Sequence, residues 1–175
     1  MPAYRRERPN ADEFASFYSG YLQQVPDGDV VEALIGGAEI AAALLHDVPE
    51  EVASKAYAPG KWTLKEVVQH LADAERIFAY RALRIARGDA TELPGWDENA
   101  YAPASGAKER SLESLLDELE SVRESTVTLF EGLPEEAWTR TGRANGQKVS
   151  VRALAWITAG HLLHHLEIIQ ERYLV

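Results

Sequence analysis

The chain has 175 residues, a formal net charge of −10 and no cysteine. The missing cysteine excludes disulfides, thiolate metal sites and a cysteine nucleophile, so any metal must be held by nitrogen and oxygen ligands. The acidic charge argues against a nucleic-acid partner, and no apolar run is long enough to span a membrane. No secretory signal opens the sequence, so we expect a cytoplasmic protein. The length predicts one domain over residues 1–175, with an N-terminal arm and short helix at 1–25 and a bundle at 26–175.

Four long segments show the apolar spacing of amphipathic helices, and none shows the alternation of a strand. Capping-box sequences, DVVE and TLKE, open the first and the second helix. A shorter aromatic segment, DEFASFYSGYLQQV, precedes the helices and is expected to pack across them. The four predicted helices span residues 29–46, 63–87, 111–131 and 150–171.

The connections between these helices indicate how the helices are arranged. Residues 88–110 form a longer loop than helical bundles usually need, and such a loop is functional, disordered or a crossover along the bundle. Residues 49–68 and 134–155 resemble one another weakly, which favours two related helical hairpins. The predicted fold class is all-α: a four-helix bundle with up-down-down-up topology, a long crossover between helices 2 and 3, and a short N-terminal helical segment.

Three of the five histidines lie close together on the last predicted helix, in AGHLLHHLEIIQERY. His161 and His165 fall about 40° apart in the middle of its apolar face, and His164 falls at the edge. Histidines at i and i+4 can bind one ion together, although hydrogen-bonded core histidines are the commoner explanation of this spacing. Two buried neutral imidazoles need several partners, and a single cation would satisfy both.

His70, on the apolar edge of the second helix, is the candidate for a third ligand. It lies about 10 Å from the start of its helix, and the midpoint of His161 and His165 lies about 12 Å from the end of theirs. The three imidazoles are therefore level if the two helices are antiparallel, and about 9 Å out of step if they are parallel. The up-down-down-up topology is the one that brings them together.

Three histidines without a fourth protein ligand leave a position open for water or substrate, as catalytic metal sites do. The HExxH pattern of zinc proteases is absent, because Leu162 follows the first histidine. A general base therefore cannot be assigned from the sequence. Asp73, Asp97 and Glu98 are candidates only because they are acidic and close in the chain to these segments.

Several other side chains near the proposed site have two interpretations each. Glu75 faces the apolar side of its helix, so it either accepts a hydrogen bond from a ligating histidine or pairs with an arginine such as Arg172. Trp62, Trp96 and Tyr101 either pack in the core and crossover or form the wall of a pocket.

The stretches KWTLKEVVQHLADAERIFAYRALRIARGD, LPGWDENAY and AGHLLHHLEIIQERY together resemble the DinB-like (YfiT-like) superfamily of metalloenzymes, from about Val25 onward. The resemblance implies a four-helix bundle, commonly a homodimer, that binds one divalent ion, either zinc, nickel or manganese. Its metal ligands, one histidine on the second helix and two on the fourth, correspond to His70, His161 and His165. Some relatives have an acidic residue where this chain has Leu162, which weakens any hydrolase mechanism that uses that residue as a base.

The function predicted from these features is metal-dependent hydrolysis of a small molecule at a three-histidine site. The resemblance also implies an alternative, a thiol S-transferase that uses a low-molecular-weight thiol. A third possibility is a stress protein that binds a metal or a small molecule without turnover. A fourth is that the histidines are structural and bind no metal.

Overall fold

Helices dominate the computed structural model, which describes residues 2–174. One two-stranded hairpin interrupts them before the last helix, and four short 3-10 turns lie at Ala3–Arg5, Ala11–Glu13, Ser16–Tyr18 and Ala107–Glu109. The strands are β1 (Thr141–Ala144) and β2 (Gln147–Ser150). The helices are α1 (Ser19–Gln24), α2 (Val30–Leu45), α3 (Glu50–Ala53), α4 (Leu64–Ala86), α5 (Glu98–Ala104), α6 (Leu112–Glu131), α7 (Glu135–Trp138) and α8 (Val151–Arg172).

The long helices α2, α4, α6 and α8 begin where the sequence predicts, because a polar side chain caps each of them. Thr63 and Glu66 form the predicted capping box of α4, and the serines before α6 and α8 each accept a backbone N–H. The box predicted for α2 is a simple cap instead, since the Asp29 carboxylate accepts from Val31 N at 2.9 Å. These caps fix the helix starts to within one residue of the prediction.

The direction of α4 relative to its neighbours confirms the up-down-down-up topology. Gln69 of α4 contacts Glu118 of α6, and Glu75 contacts Arg123, so the two helices run parallel. α4 and α8 run antiparallel. His70, in the first half of α4, meets His165, in the second half of α8, and Trp62 just before α4 meets Tyr173 just after α8. The crossover, which contains α5, makes the parallel arrangement possible.

A buried ion pair joins α4 to α6 near the middle of the bundle. Both side chains of Glu75 and Arg123 are only 4% exposed, and Nε and Nη2 of Arg123 donate to the two carboxylate oxygens at 2.7 Å. The prediction that Glu75 pairs with an arginine is confirmed, but the suggested partner, Arg172, is wrong. Arg172 lies exposed in the last turn of α8, whereas Arg123 is level with Glu75 on the parallel helix α6.

The β-hairpin is a departure from the sequence prediction, which contained no strand. Asn145 and Gly146 form its turn with φ of 52° and 73°. Positive φ at both central residues is the geometry that favours Asn-Gly in two-residue hairpins. The Asn-Gly dipeptide is itself a signal for such a turn, and the strands on either side of it are only four residues long.

The two similar connections have the same local structure. A short helix follows Pro49 in one and Pro134 in the other. An antiparallel contact then closes each connection just before the next long helix, between Ala56 and Thr63 in the first and between Thr141 and Ser150 in the second. The weak repeat in the sequence therefore corresponds to two equivalent helix entries.

The N-terminal segment packs across the bundle, as predicted, with α1 lying against α8. This approach requires glycine at position 160, because a Cβ there would lie 2.1 Å from the carbonyl oxygen of Tyr21. The aromatic segment is thereby held directly beside the histidines of α8. None of the described helices combines the length and apolar character that a membrane crossing needs.

Breaking the ion pair should destabilise the bundle more than replacing both partners. We expect Arg123→Met to lower the free energy of unfolding by about 3–5 kcal/mol, because it leaves a buried carboxylate unpaired. Glu75→Met/Arg123→Met should recover most of that loss, since two apolar side chains leave no buried charge. Urea unfolding of the three proteins measures both values, and additive losses in the double variant would contradict the role given to the pair.

A second prediction concerns Glu13, which ties the N-terminal arm to the start of α8. Burial opposes its ionisation, but hydrogen bonds from Arg152, Ser150 and the Asn10 backbone outweigh burial and lower its pKa from 4.5 to about 2. A carboxyl with a lowered pKa stabilises the fold above its unfolded pKa, and this contribution is lost as the pH falls toward the folded value.

The stability difference between wild type and Glu13→Gln should therefore be largest above pH 4.5 and should shrink between pH 4.5 and about 2. Thermal unfolding across this range gives the difference. Glu7→Gln is the matched control, because Glu7 meets the same Arg152 from an exposed position. A difference that stays constant down to pH 2 would contradict the prediction.

Candidate metal centre

The three histidines singled out in the sequence lie together between α4 and α8. Their ligand-capable nitrogens all lie within 4.8 Å of one another, and Nε2 of His70 is 3.1 Å from Nε2 of His161. His70 and His161 are only 7% and 6% exposed, and His165 is half-buried. Because the two helices are antiparallel, the three imidazoles lie at the same height along the bundle, as the helical rise per residue predicts.

Burial keeps these imidazoles uncharged at neutral pH. It lowers the pKa of His70 to about 4. It lowers the pKa of His165 to about 3, with a further contribution from neighbouring His70. It holds the pKa of His161 well below 6.5, and the surrounding histidines add to the effect. A neutral imidazole is the form that binds a metal ion, so the cluster has the protonation state of a ligand set.

The hydrogen bonding of the cluster fits a metal ion better than it fits a purely structural role. Two neutral imidazoles present Nε2 atoms to each other, and one hydrogen bond between them would leave the third ring without a partner. Nitrogen ligands at 2.0–2.1 Å around a tetrahedral ion lie about 3.3 Å apart, close to the 3.1 Å separation of His70 and His161. The geometry therefore suits a divalent ion with three nitrogen ligands.

In the part of the chain that the structure describes, the second ring nitrogen of His70, Nδ1, lacks the hydrogen-bond acceptor that usually orients a metal-binding histidine. Nδ1 of His70 is buried and has no hydrogen-bond partner among residues 2–174. One interpretation of Glu75 was that it accepts a hydrogen bond from a ligating histidine. Its carboxylate accepts hydrogen bonds from Arg123 instead. On the Nδ1 side, aromatic packing rather than a hydrogen bond holds the His70 ring in place.

Aromatic side chains enclose the cluster. Trp96 stacks on His70 with ring centroids 5.6 Å apart and an interplanar angle of 16°, and Trp62 lies 4.9 Å away on the same histidine. Both tryptophans are half-buried, and exposed Tyr101 packs edge-on against Trp96 at 5.2 Å. Trp62 and Trp96 therefore pack directly on His70, and Tyr101 covers Trp96 from outside.

Tyr21 and Phe78 complete the enclosure and were missed at the sequence level. Their rings lie 5.4 Å and 5.6 Å from that of His161, both edge-on. The signal for Tyr21 is Gly160, which comes directly before His161 and permits the close approach of α1. Phe78 lies two turns beyond His70 on α4, so helical spacing alone could have indicated it.

The remaining histidines lie outside the cluster. His164 is half-buried against Tyr21, with ring centroids 5.1 Å apart, and its ring lies beside that of His165 rather than facing His70. His46 ends α2 on the surface, where its Nδ1 lies 2.8 Å from an Asp47 carboxylate oxygen. Neither belongs to the group of nitrogens that converge.

No carboxylate of the described chain joins the three histidines. Asp73 accepts a hydrogen bond from Gln69, and Asp97 caps α5 by accepting from Asn99 and Ala100. Glu98 is exposed at the start of α5. The general base therefore stays unassigned.

Leu162 does not face the cluster. It is 3% exposed, and a Cβ on Gly37 of α2 would lie 3.2 Å from its Cδ2. His161 and His165 face α4, whereas position 162 faces α2 and α6. A carboxylate at position 162 of this chain would therefore point away from the three imidazoles.

Comparisons with known proteins identify the family of this chain. The sequence model of the DinB superfamily matches residues 34–169. A protein of Oceanobacillus iheyensis named "Putative metal-dependent hydrolase OB0413" is 28% identical over 126 residues, which cover 69% of this chain and 72% of that protein.

A solved structure shares the fold. YfiT from Bacillus subtilis matches with a TM-score of 0.69 and 18% identity, over 95% of this chain and 91% of YfiT. That protein is described as "a probable metal-dependent hydrolase with an unusual four-helix bundle topology". The likeness shows that the two chains have the same arrangement of helices.

Replacing one histidine of the cluster should abolish stoichiometric metal binding. After dialysis against zinc, nickel or manganese and then metal-free buffer, untagged wild type should retain about one ion per chain, and His161→Ala should retain almost none, because two imidazoles bind too weakly. His164→Ala is the matched control, since it removes a neighbouring imidazole outside the cluster. Plasma mass spectrometry measures the content, and equal loss of metal in both variants would contradict the assignment.

Proposed function

This chain belongs to the DinB superfamily, and we propose that it is a hydrolase that depends on one divalent metal ion held by His70, His161 and His165. The observation that carries the proposal is the convergence of three neutral imidazoles, two buried and one half-buried, within 4.8 Å. The names given to the relatives from Oceanobacillus and Bacillus support the same activity. Nitrogen-only ligation suits zinc or nickel, and manganese is the third candidate.

The chemistry that the ion supplies is the activation of water and the polarisation of a substrate carbonyl or phosphoryl oxygen. The three histidines hold the ion and leave the remaining coordination positions to water and substrate. Trp96 orients His70 by stacking on it, and Tyr21 and Phe78 hold the ring of His161. Together the aromatic rings exclude bulk water from one side of the site.

The walls of the site also indicate what kind of substrate it accepts. Trp62 and Trp96, both half-buried, lie against His70 with ring centroids 4.9 Å and 5.6 Å away. Arg81 of α4 is buried and donates to the carbonyl oxygen of Pro94 at 2.8 Å, which ties the crossover to the helix. We propose a small substrate that has an apolar or aromatic group next to the bond that is hydrolysed.

Hydrolysis should require both the ion and the cluster. We expect untagged protein loaded with zinc, nickel or manganese to hydrolyse members of a panel of 4-nitrophenyl and phenyl esters, lactones and amides. Removal of the ion by a chelator should abolish the activity, and metal addition should restore it. Replacing a residue that supports a metal ligand usually lowers activity roughly 10–100-fold. His70→Ala removes a ligand itself and should lower activity further, whereas His164→Ala should keep most of the activity.

Each other outcome has a defined meaning. Product that forms only when a small thiol is added would replace the hydrolase by the S-transferase. An ion held by the cluster, with no product from any substrate with or without thiol, would contradict enzymatic activity and favour a binding protein. Activity that survives chelation and His70→Ala would contradict the metal-dependent mechanism.

A further inference from the structure

A long groove lies between α2 and α6, on the opposite side of α8 from the histidines. It encloses about 870 Å³ and extends from the Ile35–Val127 end of the two helices to the Glu50–Leu112 end. Along α6 this distance corresponds to about 22 Å, or 15 residues of helix. Leu162 forms part of the floor, so neighbouring residues of α8 serve the histidine cluster and the groove.

The floor of the groove is apolar and incompletely covered. Ile35, Ala38, Leu116 and Val127 line it and are half-buried, so residues 2–174 leave part of each side chain uncovered. The alanines that α2 contributes keep one wall low, so another helix could approach the backbone closely. An uncovered apolar strip of this length is typical of a surface that receives an amphipathic helix.

The rim of the groove is acidic on both sides. Glu113, Asp117, Glu120 and Glu124 follow one another along α6 at spacings of four, three and four residues, so they form one continuous stripe. Glu39 lies on the facing rim, on α2. Among the described residues, none of these five carboxylates has a lysine or arginine within ion-pair distance.

The charge of the two helices is concentrated here. α2 has two acidic residues and no lysine or arginine, and α6 has six acidic residues and one arginine. They therefore hold a formal charge of −7 out of the chain's −10. That arginine, Arg123, is already bonded to Glu75 and to the carbonyl oxygen of Leu34.

The stripe is unfavourable for α6 itself, because like charges at i and i+4 destabilise a helix. A solvated acidic face would also raise solubility, but solubility does not require the carboxylates to border an uncovered apolar strip. A second copy of the same face is a poor partner, because a symmetric contact would bring acidic rims together. A partner with basic residues on both sides of an apolar stripe complements the groove in shape and in charge.

We propose that the groove between α2 and α6 binds an amphipathic helix of about 15 residues from a partner protein, with lysine or arginine flanking its apolar stripe. The inference is independent of the metal site, since no histidine of the cluster lines the groove. If the protein forms the homodimer that its family resemblance implies, we expect the dimer to use another face.

The test uses two designed 18-residue peptides with the same leucine stripe. One carries lysine and arginine at every flanking position, and its twin carries glutamate there. Fluorescence anisotropy of each labelled peptide is measured against the full-length protein at low and high salt. We expect the basic peptide to bind at least about tenfold more tightly than its twin, with the difference shrinking at high salt.

Three variants separate this groove from general charge attraction. Asp117→Lys/Glu120→Lys should reverse the preference between the peptides. Glu135→Lys/Glu136→Lys makes the same charge change at two exposed positions of α7 and should preserve the preference. Ala38→Trp fills the floor without changing the charge, and it should weaken the basic peptide at least about tenfold.

The following results would overturn the proposal. Equal loss of binding in the two double-lysine variants would show that only net charge matters. Undiminished binding to Ala38→Trp would place the peptide elsewhere, and no preference between the peptides would remove the charge argument. Sedimentation equilibrium that shows a wild-type dimer dissociated by Ala38→Trp would identify a second copy as the occupant. Circular dichroism of each variant confirms that it remains folded.

Discussion

The antiparallel packing of α4 against α8 is the constraint on which the rest of the structure depends. Just beyond one end of the pair, the Tyr173 hydroxyl donates to the Trp62 carbonyl, and at the other end Gly142 of the hairpin before α8 lies close to Ile85 of α4. This register sets the three imidazoles level, and a shift of one helical turn would separate them by about 5.4 Å. The same direction of α4 makes it parallel to α6, so the chain needs a crossover, and that crossover brings Trp96 onto the cluster.

Burial in this register determines the chemistry that the site can perform. A protonated imidazole would lose its hydration between two helices, so all three rings stay neutral at neutral pH. Three lone pairs on one side of an aromatic enclosure then favour a divalent cation over protons. The charged pair Glu75–Arg123 lies on the α6 side of α4, where each buried charge compensates the other.

The sequence was sufficient for the long helices and for the convergence of the histidines, because both follow from spacing and helical rise. It was insufficient for contacts between helices, because these depend on which side chains lie at the same height once the helices pack. Arg123, rather than Arg172, meets Glu75 because α6 runs parallel to α4 in a particular register, which no local pattern encodes. The place of Tyr21 beside His161 follows similarly from the path of the N-terminal segment. The hairpin differs, since its Asn-Gly turn is a local signal that the sequence does contain.

The central claim is that His70, His161 and His165 form one metal site with open coordination positions. X-ray absorption at the metal edge of zinc- or nickel-loaded protein tests it most directly. The account predicts three imidazole nitrogens at about 2.0–2.1 Å, with the remaining positions taken by oxygen from water. Fewer than three imidazoles around the ion, or the same spectrum from a His70→Ala/His161→Ala variant, would contradict it.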